Sequence, residues 1–236
     1  MSAAPQRWSI RAAVSVSHLT SATQDYLKAI WSLGEWSTGG VTVTSIAERL
    51  GIRTSTASDG VKKLAENGFA VHSPYQSVEL TDLGRSHAVA MVRRHRLLET
   101  YLVGELGYEW DEVHDEAEVL EHAVSDRFLA AVDERLGHPT RDPHGDPIPS
   151  ADGAPHLPDA VPLSSVVIGG TGVVARISDA DPERLRAFAD QGLTLDVSVD
   201  VVMHSDSTCA MQIDVSGRIV NLSADDADAV WVTPRP

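Results

Sequence analysis

Apolar side chains recur with a helical period in the first part of the chain. Across 21–33 (SATQDYLKAIWSL) this spacing predicts a helix, with Ser21 or Thr23 as the candidate N-cap. Two shorter helices are predicted at about 43–50 and 55–67, and the segment FAVHSPYQSVELT predicts two short strands around a turn. A helix, a helix–turn–helix pair and a β-hairpin, in this order, predict a winged helix-turn-helix domain.

Two longer amphipathic helices are predicted after the hairpin. The first extends from about Asp82 to Val103 behind a Thr81 cap, and the second from about Trp110 to Leu136. The apolar stripe of the second comprises Val113, Ala117, Leu120, Val124, Phe128 and Val132. Helices of this length beyond a winged-helix domain usually supply dimer contacts, and a two-fold dimer suits a two-fold DNA site.

The rest of the chain changes character. Residues 137–162 contain 7 of the 12 prolines, which predicts a linker or an extended strap. Beyond them, valine-rich runs alternate with turns and one short helix, which predicts a small SH3-like β-barrel. The predicted fold class is α+β, with a loose tail at 1–20, a winged helix-turn-helix domain at 21–82, a helical metal-binding and dimerisation domain at 83–140, a Pro-rich linker at 141–162 and the β domain at 163–236.

The net charge of −15 conceals an asymmetry between the two ends of the chain. Residues 1–97 carry 11 Lys and Arg against 7 Asp and Glu, whereas residues 98–236 carry 8 against 27. A mildly basic N-terminal part followed by a strongly acidic remainder is compatible with a DNA-binding domain joined to a separate sensor domain. Acidity that serves only solubility is the alternative interpretation.

Cysteine content and hydropathy indicate the compartment. The single cysteine, Cys209, excludes an internal disulfide framework, fits a reducing cytoplasm and is expected to be a small core residue. The first twenty residues lack the apolar run of a secretory signal, and no stretch approaches the ~20 apolar residues of a membrane span. We therefore expect a protein of the bacterial cytoplasm.

The second helix of the helix–turn–helix pair carries the residues that we expect to meet DNA. Its apolar positions Ala57, Val61 and Leu64 form a buried face, which leaves the small hydroxylated side chains near its N-terminus outside. Such side chains let a helix approach phosphates and base edges, and lysines add electrostatic attraction. The predicted DNA-binding residues are Arg53, Thr54, Ser55, Thr56, Ser58, Asp59, Lys62 and Lys63.

Histidines and carboxylates cluster on the two long predicted helices. They are His95 and Glu99 on the first helix, and His114, Glu118, Glu121 and His122 on the second. Imidazole and carboxylate groups one turn apart are how helical scaffolds build metal sites. A solvated charged face with incidental histidines is the alternative, and the occurrence of such pairs on two successive helices favours the metal site.

Five segments resemble successive signature blocks of the diphtheria toxin repressor family: TQDYLKAIWSL, VTSIAERLGIRTSTASDGVKKLAENGF, LTDLGRSHAVAMVRRHRLLE, VHDEAEVLEHAVSD and DPHGDPIP. The family includes iron-dependent regulators and manganese transport regulators. The likeness covers about residues 20–150, and the C-terminal region resembles the family's SH3-like domain more weakly. In such proteins the metal is a co-repressor that turns on binding to operators of metal-uptake genes.

The resemblance implies which residues hold the metal. By position, the family's primary site comprises Asp25, Glu118, Glu121 and His122, and its ancillary site comprises His95, Glu99 and His114. Its third-domain ligands fall near Asp181 and Arg184. Because an arginine does not bind a metal ion, Asp181 is the candidate ligand in that domain.

Two ligand positions favour manganese. Iron-type members of the family have a methionine where this chain has Asp25 and a cysteine where it has Glu118. Two carboxylates in place of two sulfur ligands make a harder, more anionic site, which favours Mn(II) over softer ions. Some manganese-type members have a further acid one turn after Asp25, where this chain has Lys28. We expect Mn(II) as the cofactor, with Fe(II) as the alternative and Zn(II), Co(II) or Cd(II) as substitutes in vitro.

The expected protein is a Mn(II)-activated transcriptional repressor that controls manganese homeostasis genes. Its expected partners are a double-stranded DNA operator and a second copy of the chain, with two dimers per operator as a further arrangement and with no membrane or organic cofactor. A metal-dependent enzyme is the alternative from another class, although the chain lacks His-Glu-x-x-His, a Glu-x-x-His repeat and a phosphate-binding glycine loop. A third interpretation keeps the winged helix and places an organic effector in the β domain.

Overall fold

The computed structural model describes residues 15–36, 39–72, 77–150, 158–205 and 210–235. The helices are α1 (Ser21–Glu35), α2 (Val43–Arg49), α3 (Thr54–Glu66), α4 (Asp82–Leu106), α5 (Val113–Glu121), α6 (Asp126–Arg135), α7 (Pro182–Asp190) and α8 (Ala224–Asp228). The strands are β1 (Ala70–Val71), β2 (Glu79–Leu80), β3 (Val161–Pro162), β4 (Thr171–Ile177), β5 (Ser198–Ser205), β6 (Ala210–Val215), β7 (Arg218–Leu222) and β8 (Val230–Arg235). This architecture is the α+β class that the sequence predicts.

The described residues form two compact units. Unit 1 holds the residues up to 98 together with 119–138 and 148–150, and unit 2 holds 99–118, 139–147 and the residues from 158 onwards. Both α4 and α5 therefore contribute residues to each unit. Among the described residues, no helix is long and apolar enough to cross a membrane. Cys209 and the predicted wing turn at 73–76 lie outside the described residues.

Unit 1 contains the predicted helix–turn–helix and its wing. Leu27 of α1, Ile46 of α2 and Val61 of α3 are buried in one hydrophobic core. The short strands β1 and β2 pair antiparallel, with Ala70 opposite Leu80. The apolar spacing of the sequence fixes these elements because each helix buries one stripe against the other two.

The start of α1 differs in detail from the prediction. The N-cap is Thr20, neither Ser21 nor Thr23, because the hydroxyl of Thr20 accepts a hydrogen bond from the backbone N of Thr23 at 3.3 Å. The described part of the predicted loose tail, residues 15–20, is held on α1. Its Val16 side chain is buried, and the Gln24 amide donates to the Val16 carbonyl at 2.9 Å.

A glycine in the middle of α3 fixes that helix against α1. A Cβ atom on Gly60 would lie 2.1 Å from Cζ of Tyr26. The hydroxyl of Tyr26 donates to the carbonyl of Thr56 at 3.0 Å. A glycine inside a helix costs about 1 kcal/mol relative to alanine, and here it makes room for the aromatic ring that joins α1 to the predicted recognition helix.

The prediction of a single helix from Trp110 to Leu136 is wrong, because the segment forms α5 and α6 with a break between them. Arg94 of α4 donates to the carbonyls of Glu121 at 3.0 Å and Val124 at 2.8 Å. These carbonyls would otherwise accept helical hydrogen bonds from residues four positions later. The hydroxyl of Ser125 then caps α6.

Unit 2 is built on a six-stranded antiparallel sheet with the strand order β3-β8-β4-β5-β6-β7. Ile177, Leu185 and Ile213 belong to its buried core, and α7 contributes Leu185 to it. The predicted valine-rich β domain with one short helix is confirmed. Two details differ, since residues Leu163–Ser165 form a 3-10 turn and α8 follows β7.

Part of the predicted linker is a packed element of unit 2. Within 139–147, a carboxylate oxygen of Asp142 accepts from the backbone N of His144 at 2.8 Å and of Asp146 at 2.9 Å. Gly145 has φ +90°, and a Cβ atom there would lie 2.1 Å from a carbonyl oxygen of β4. Prolines prevented a helix or strand here, but the carboxylate and the glycine give the segment a defined turn instead.

Candidate metal centre

Three metal-ligating side chains of unit 1 converge between α1 and the end of α5. Asp25 lies on α1, Glu121 is the last residue of α5 and His122 follows it directly. One potential ligand atom from each lies within 4.8 Å of those of the other two. His122 Nε2 is 2.9 Å from Asp25 Oδ1. Two carboxylates and an imidazole are ligands that divalent first-row ions accept.

Glu121 is the buried centre of this group. Its side chain is 0% exposed, with Oε1 2.6 Å from Lys28 Nζ and Oε2 2.6 Å from His95 Nδ1. Burial alone would raise the pKa of this carboxyl, but the hydrogen bond from His95 and the charges of His95 and Lys28 hold the pKa of Glu121 below its ordinary value. Glu121 is therefore an anion, as a metal ligand must be. We call Asp25, Lys28, His95, Glu121 and His122 the Glu121 cluster.

Gln24 orients the imidazole of this cluster. The Gln24 amide is buried, donates from Nε2 to the carbonyls of Val16 and Leu19, and accepts from His122 Nδ1 at 2.7 Å. With Nδ1 donating to an amide oxygen, Nε2 is the nitrogen that faces Asp25. A histidine that ligates through one nitrogen usually donates from the other to a fixed acceptor, which sets its tautomer. Sequence reasoning did not find Gln24, because a glutamine beside an acid on a helix has no distinctive pattern.

A second group of ligating side chains lies in unit 2. His114 Nδ1 is 3.2 Å from Glu99 Oε1 and 3.0 Å from Asp179 Oδ2, and His114 Nε2 is 3.5 Å from Glu118 Oε1. Burial opposes protonation of His114, but hydrogen bonds to Asp179 and Glu99 and their negative charges raise its pKa to about 10. His114 is thus an imidazolium at neutral pH. We call Glu99, His114 and Asp179 the His114 cluster.

Glu99 also faces the packed turn of the predicted linker. Potential ligand atoms of Glu99, Asp142 and His144 lie within 4.8 Å of one another, and all three residues are buried. His144 Nε2 donates to the carbonyl of Trp110 at 2.6 Å, and its Nδ1 is 3.9 Å from Glu99 Oε2. Sequence reasoning assigned no ligand here. The available signal was a histidine between two acids and before a glycine, in DPHGDP.

The structure divides most of the predicted ligands between the two clusters. Asp25, His95, Glu121 and His122 lie in the Glu121 cluster, and Glu99 and His114 lie in the His114 cluster. Glu118 Oε1 lies 3.5 Å from His114 Nε2. Glu118 of α5 precedes His122, the residue directly after that helix, by four positions, about one helical turn. His95 precedes Glu99 by one turn on α4 in the same way.

Asp181 has another role in the structure. Its Oδ1 accepts from the backbone N of Glu183 and of Arg184 at 3.1 Å each, so Asp181 is the N-cap of α7. The carboxylate that lies beside His114 is that of Asp179, two residues earlier. An acid just before a helix has a capping function that competes with metal binding, and at Asp181 the structure shows the cap.

The eight predicted DNA-binding residues are all exposed. Arg53 immediately precedes α3 and the others lie on it: Thr54, Ser55, Thr56, Ser58, Asp59, Lys62 and Lys63. The opposite face of the helix, with Ala57, Val61 and Leu64, is buried. Their exposure is what a DNA-contacting face requires, and their contact with DNA stays a prediction.

Comparison with known proteins identifies the family. Models of the iron dependent repressor family match residues 18–78 as its N-terminal DNA binding domain and residues 81–150 as its metal binding and dimerisation domain, and a FeoA domain model matches residues 161–234. The diphtheria toxin repressor of Corynebacterium glutamicum is 33% identical over 226 residues, which cover 91% of this chain and 96% of that protein. The chain belongs to the diphtheria toxin repressor family.

Other family members are similar over different lengths. The iron-dependent repressor IdeR of Mycobacterium tuberculosis is 38% identical over 57% of this chain and 58% of its own length. A solved manganese-dependent transcriptional repressor in complex with manganese is 53% identical, covers 90% of this chain and 100% of its own, and has a TM-score of 0.87. The structure of ScaR with bound cadmium is 29% identical, with coverages of 89% and 98% and a TM-score of 0.79.

Family membership confirms the predicted class of function. This diphtheria toxin repressor family member is a metal-dependent transcriptional repressor with a DNA-binding domain, a metal-binding and dimerisation domain and a FeoA domain. The alternative of an enzyme on a helical scaffold is not supported, because the family consists of regulators. The relatives' names include both iron and manganese, so the ligands must decide between the two ions.

Proposed function

We propose that Mn(II) is the co-repressor of this chain and that Asp25, Glu118, Glu121 and His122 are the ligands of its activating site. The observation that carries the proposal is the convergence of Asp25, Glu121 and His122 within 4.8 Å, with no sulfur ligand among them. Three carboxylates and one imidazole form a hard, anionic ligand set, which favours Mn(II) over softer ions. The relative that is 53% identical was solved in complex with manganese, which supports the same choice.

A second ion is proposed for the His114 cluster. Glu99, His114 and Asp179 would hold it, with His95 available one turn before Glu99 on α4. An ion that binds through His114 must displace the proton that Glu99 and Asp179 stabilise on the imidazole. Asp179 thereby replaces Asp181 as the proposed ligand from the C-terminal domain.

The Glu121 cluster can couple metal binding to DNA binding because its ligands lie on two elements. Asp25 is on α1, whose Tyr26 is joined to the Thr56 carbonyl of α3, whereas Glu121 and His122 lie at the end of α5. A bound divalent ion supplies positive charge between these anions and favours the arrangement in which α1 is held against α5. In a dimer this restricts the spacing of the two α3 helices, which must be near one DNA turn, ~34 Å. A restricted spacing lowers the ordering cost of DNA binding.

The proposed partners are a double-stranded DNA operator and a second copy of the chain. Arg53 and the exposed residues of α3 would contact the DNA, and two dimers on one operator are a further proposed arrangement. In unit 1, Val119 is 69% and Phe128 43% exposed, and apolar side chains of this size support a helical dimer contact at α5 and α6. The regulated genes would serve manganese homeostasis in the cytoplasm.

The test is operator binding with and without metal. A duplex selected from a random DNA library in the presence of MnCl₂ is labelled, and its fluorescence anisotropy is titrated with the purified chain. We expect Mn(II) to tighten binding by about tenfold to a hundredfold, the usual range of allosteric coupling, and a chelator to reverse it. A Glu121→Gln variant should bind the duplex equally with and without Mn(II), and a chelator-insensitive affinity of the unmodified chain would contradict the metal switch.

The choice of ion has its own test. The paired change Asp25→Met and Glu118→Cys introduces two sulfur ligands and should shift the half-maximal response from Mn(II) toward Fe(II) under anaerobic conditions. The single change Asp181→Asn, at a residue that caps α7, should leave the metal profile as it is. An unaltered profile in the paired variant would refute the selectivity argument and leave the repressor function standing.

A further inference from the structure

One residue of the predicted DNA-binding face carries a charge that DNA repels. Asp59 is the single acid among those eight residues, and it lies on α3 between Arg53 and Lys62 in the chain. Phosphates repel a carboxylate, so an acid on such a face lowers DNA affinity unless a hydrogen-bond donor meets it. Within the part of the chain that the structure describes, Asp59 forms no ion pair and no hydrogen bond, and Lys62 lies 3.9 Å from Glu66 instead.

Asp59 lies at the centre of the exposed side of α3. It is two residues from both Ala57 and Val61, which are fully buried, and two residues correspond to about 200° around an α-helix. The hydroxyl of Tyr26 donates to the carbonyl of Thr56 and fixes the rotation of α3 on the core of unit 1. The side chain of Asp59 therefore points away from that core, toward whatever binds the exposed side of the helix.

The neighbours of Asp59 allow this side of α3 to come close to DNA. Ser55 precedes Asp59 by one helical turn, and Thr56 and Ser58 are the next exposed residues of the N-terminal half, so the side chains around it there are short. An aspartate has a single methylene group before its carboxylate and reaches a base only where the backbone is near. In a helix-turn-helix domain the N-terminal residues of the second helix contact the base edges.

The donors and acceptors of the major groove decide which base suits a carboxylate. An ionised carboxylate only accepts hydrogen bonds. Guanine presents two acceptors, thymine an acceptor and a methyl group, and adenine an acceptor beside its amino donor, whereas cytosine presents its amino donor alone. Cytosine is therefore the base that offers a carboxylate a donor without an acceptor next to it on the same base.

We propose that Asp59 reads a cytosine in each half-site of the operator, by accepting a hydrogen bond from the N4 amino group in the major groove. Asp59 is then a specificity-determining residue, because it attracts cytosine and repels the acceptors of the other bases at that position. The inference rests on the proposed function, since it takes α3 as the helix that enters the major groove.

The test compares two chains that differ in one functional group. The unmodified chain and Asp59→Asn each select duplexes from a random DNA library with MnCl₂, and single-base variants of the selected half-sites are titrated by fluorescence anisotropy. Replacement of the cytosine in one half-site should weaken binding by the unmodified chain about fivefold or more. Asparagine has the same length and adds an amino donor, which pairs with adenine N6 and N7. In Asp59→Asn the preferred base at that one position should change from cytosine to adenine.

Glu66→Gln is the matched control. Glu66 lies on the exposed side of the same helix, seven residues or about two turns after Asp59, and the change removes the same negative charge. Because this residue lies at the C-terminal end of α3, the change in affinity should be equal for every base at the tested position.

Three results would overturn the proposal: identical base preferences of the unmodified chain and Asp59→Asn at every position, a preference of the unmodified chain for another base at the position that changes, or the same change of preference in Glu66→Gln. An unmodified chain that selects no duplex with Mn(II) would contradict the proposed function itself, and with it the role of Asp59.

Discussion

The Glu121 cluster and the His114 cluster compensate their buried carboxylates in different ways. In the Glu121 cluster the compensating cation is the ammonium of Lys28, which cannot itself ligate a metal while it is charged. In the His114 cluster it is the imidazolium of His114, whose pKa is about 10 because of Asp179 and Glu99. His114 becomes a ligand as soon as it loses its proton. In the proposed function, the Glu121 cluster would therefore bind an ion beside its lysine cation, whereas the His114 cluster would exchange the proton of His114 for an ion.

This difference shows that the same residue types can form two kinds of site. Both clusters contain acids and histidines on α4 and α5, and a count of ligands does not separate them. The cation that each cluster holds without metal does separate them. At its ordinary pKa, a lysine costs about 4–5 kcal/mol to neutralise at pH 7, whereas a histidine that has lost its anionic partners and returned to its ordinary pKa costs almost nothing. Loss of an anion should therefore damage the two clusters to different extents.

The largest expected effect is on the Glu121 cluster. Glu121→Met leaves the ammonium of Lys28 buried without its anion, and breaking one partner of a buried ion pair costs about 3–5 kcal/mol. The free energy of unfolding is measured in urea with a chelator present. The matched change in the other cluster, Asp179→Ala, should cost less at pH 7, about 1–2 kcal/mol, because His114 can release its proton.

The double variant Lys28→Met and Glu121→Met is the control for this prediction. It replaces the ion pair by apolar side chains, a change that is often neutral in proteins, and should recover most of the stability that Glu121→Met loses. A double variant as unstable as Glu121→Met would show that the loss comes from packing, and equal losses for Glu121→Met and Asp179→Ala would remove the contrast between the clusters.

A smaller effect is expected from the proton on His114. The pKa of His114 is raised from 6.5 to about 10 in the folded chain, so its contribution to stability is fully present below pH 6.5 and is lost as the pH rises through 10. His114→Gln should lower the free energy of unfolding of the metal-free chain by about 2 kcal/mol near pH 6, a figure reduced because the side chain is 25% exposed. The difference from the unmodified chain should vanish above pH 10.

His138 provides the matched control. It also lies beside an aspartate, 2.9 Å from Asp133, but its side chain is 73% exposed. Exposed pairs of this kind contribute little, so His138→Gln should change stability by less than about 0.5 kcal/mol at any pH. A difference between the unmodified chain and His114→Gln that grows with rising pH would contradict the assigned charge of His114.

Much of this architecture could be predicted because apolar periodicity is local. The stripes of α1 and α3 and the valine-rich runs of the β domain determine which side of each element is buried, and the structure follows them. The break between α5 and α6 could not be found in this way. The break depends on Arg94, which lies 27 residues before Glu121 in the chain. The sequence around Glu121 contains no pattern that indicates this contact.

The candidate ligands show the same limit. Spacing along one helix places Glu118 and His122, or His95 and Glu99, on a shared face. Contacts between elements distant in the chain are different in kind: Lys28 is 93 residues from Glu121, and Gln24 is 98 residues from His122. Such contacts depend on how the elements pack, and the residue types alone gave no reason to expect a lysine among the ligands.

The smallest expected effect separates Asp179 from Asp181, two acids that lie two residues apart. Asp181→Ala removes the N-cap of α7, which should cost about 1 kcal/mol of stability, and should leave metal binding at the His114 cluster unchanged. Asp181→Asn retains a capping oxygen and should restore that stability, whereas Asp179→Asn should weaken the binding of Mn(II) to the His114 cluster at unchanged Asp181. Calorimetric titration with Mn(II) measures metal binding at the His114 cluster, and urea unfolding measures the stability that the α7 cap contributes. A carboxylate oxygen that caps a helix is not free to bind a metal ion, so one residue is expected to do only one of the two. If Asp181→Ala weakened metal binding as much as Asp179→Asn, the separate assignment of Asp181 as the cap and Asp179 as the ligand would be wrong.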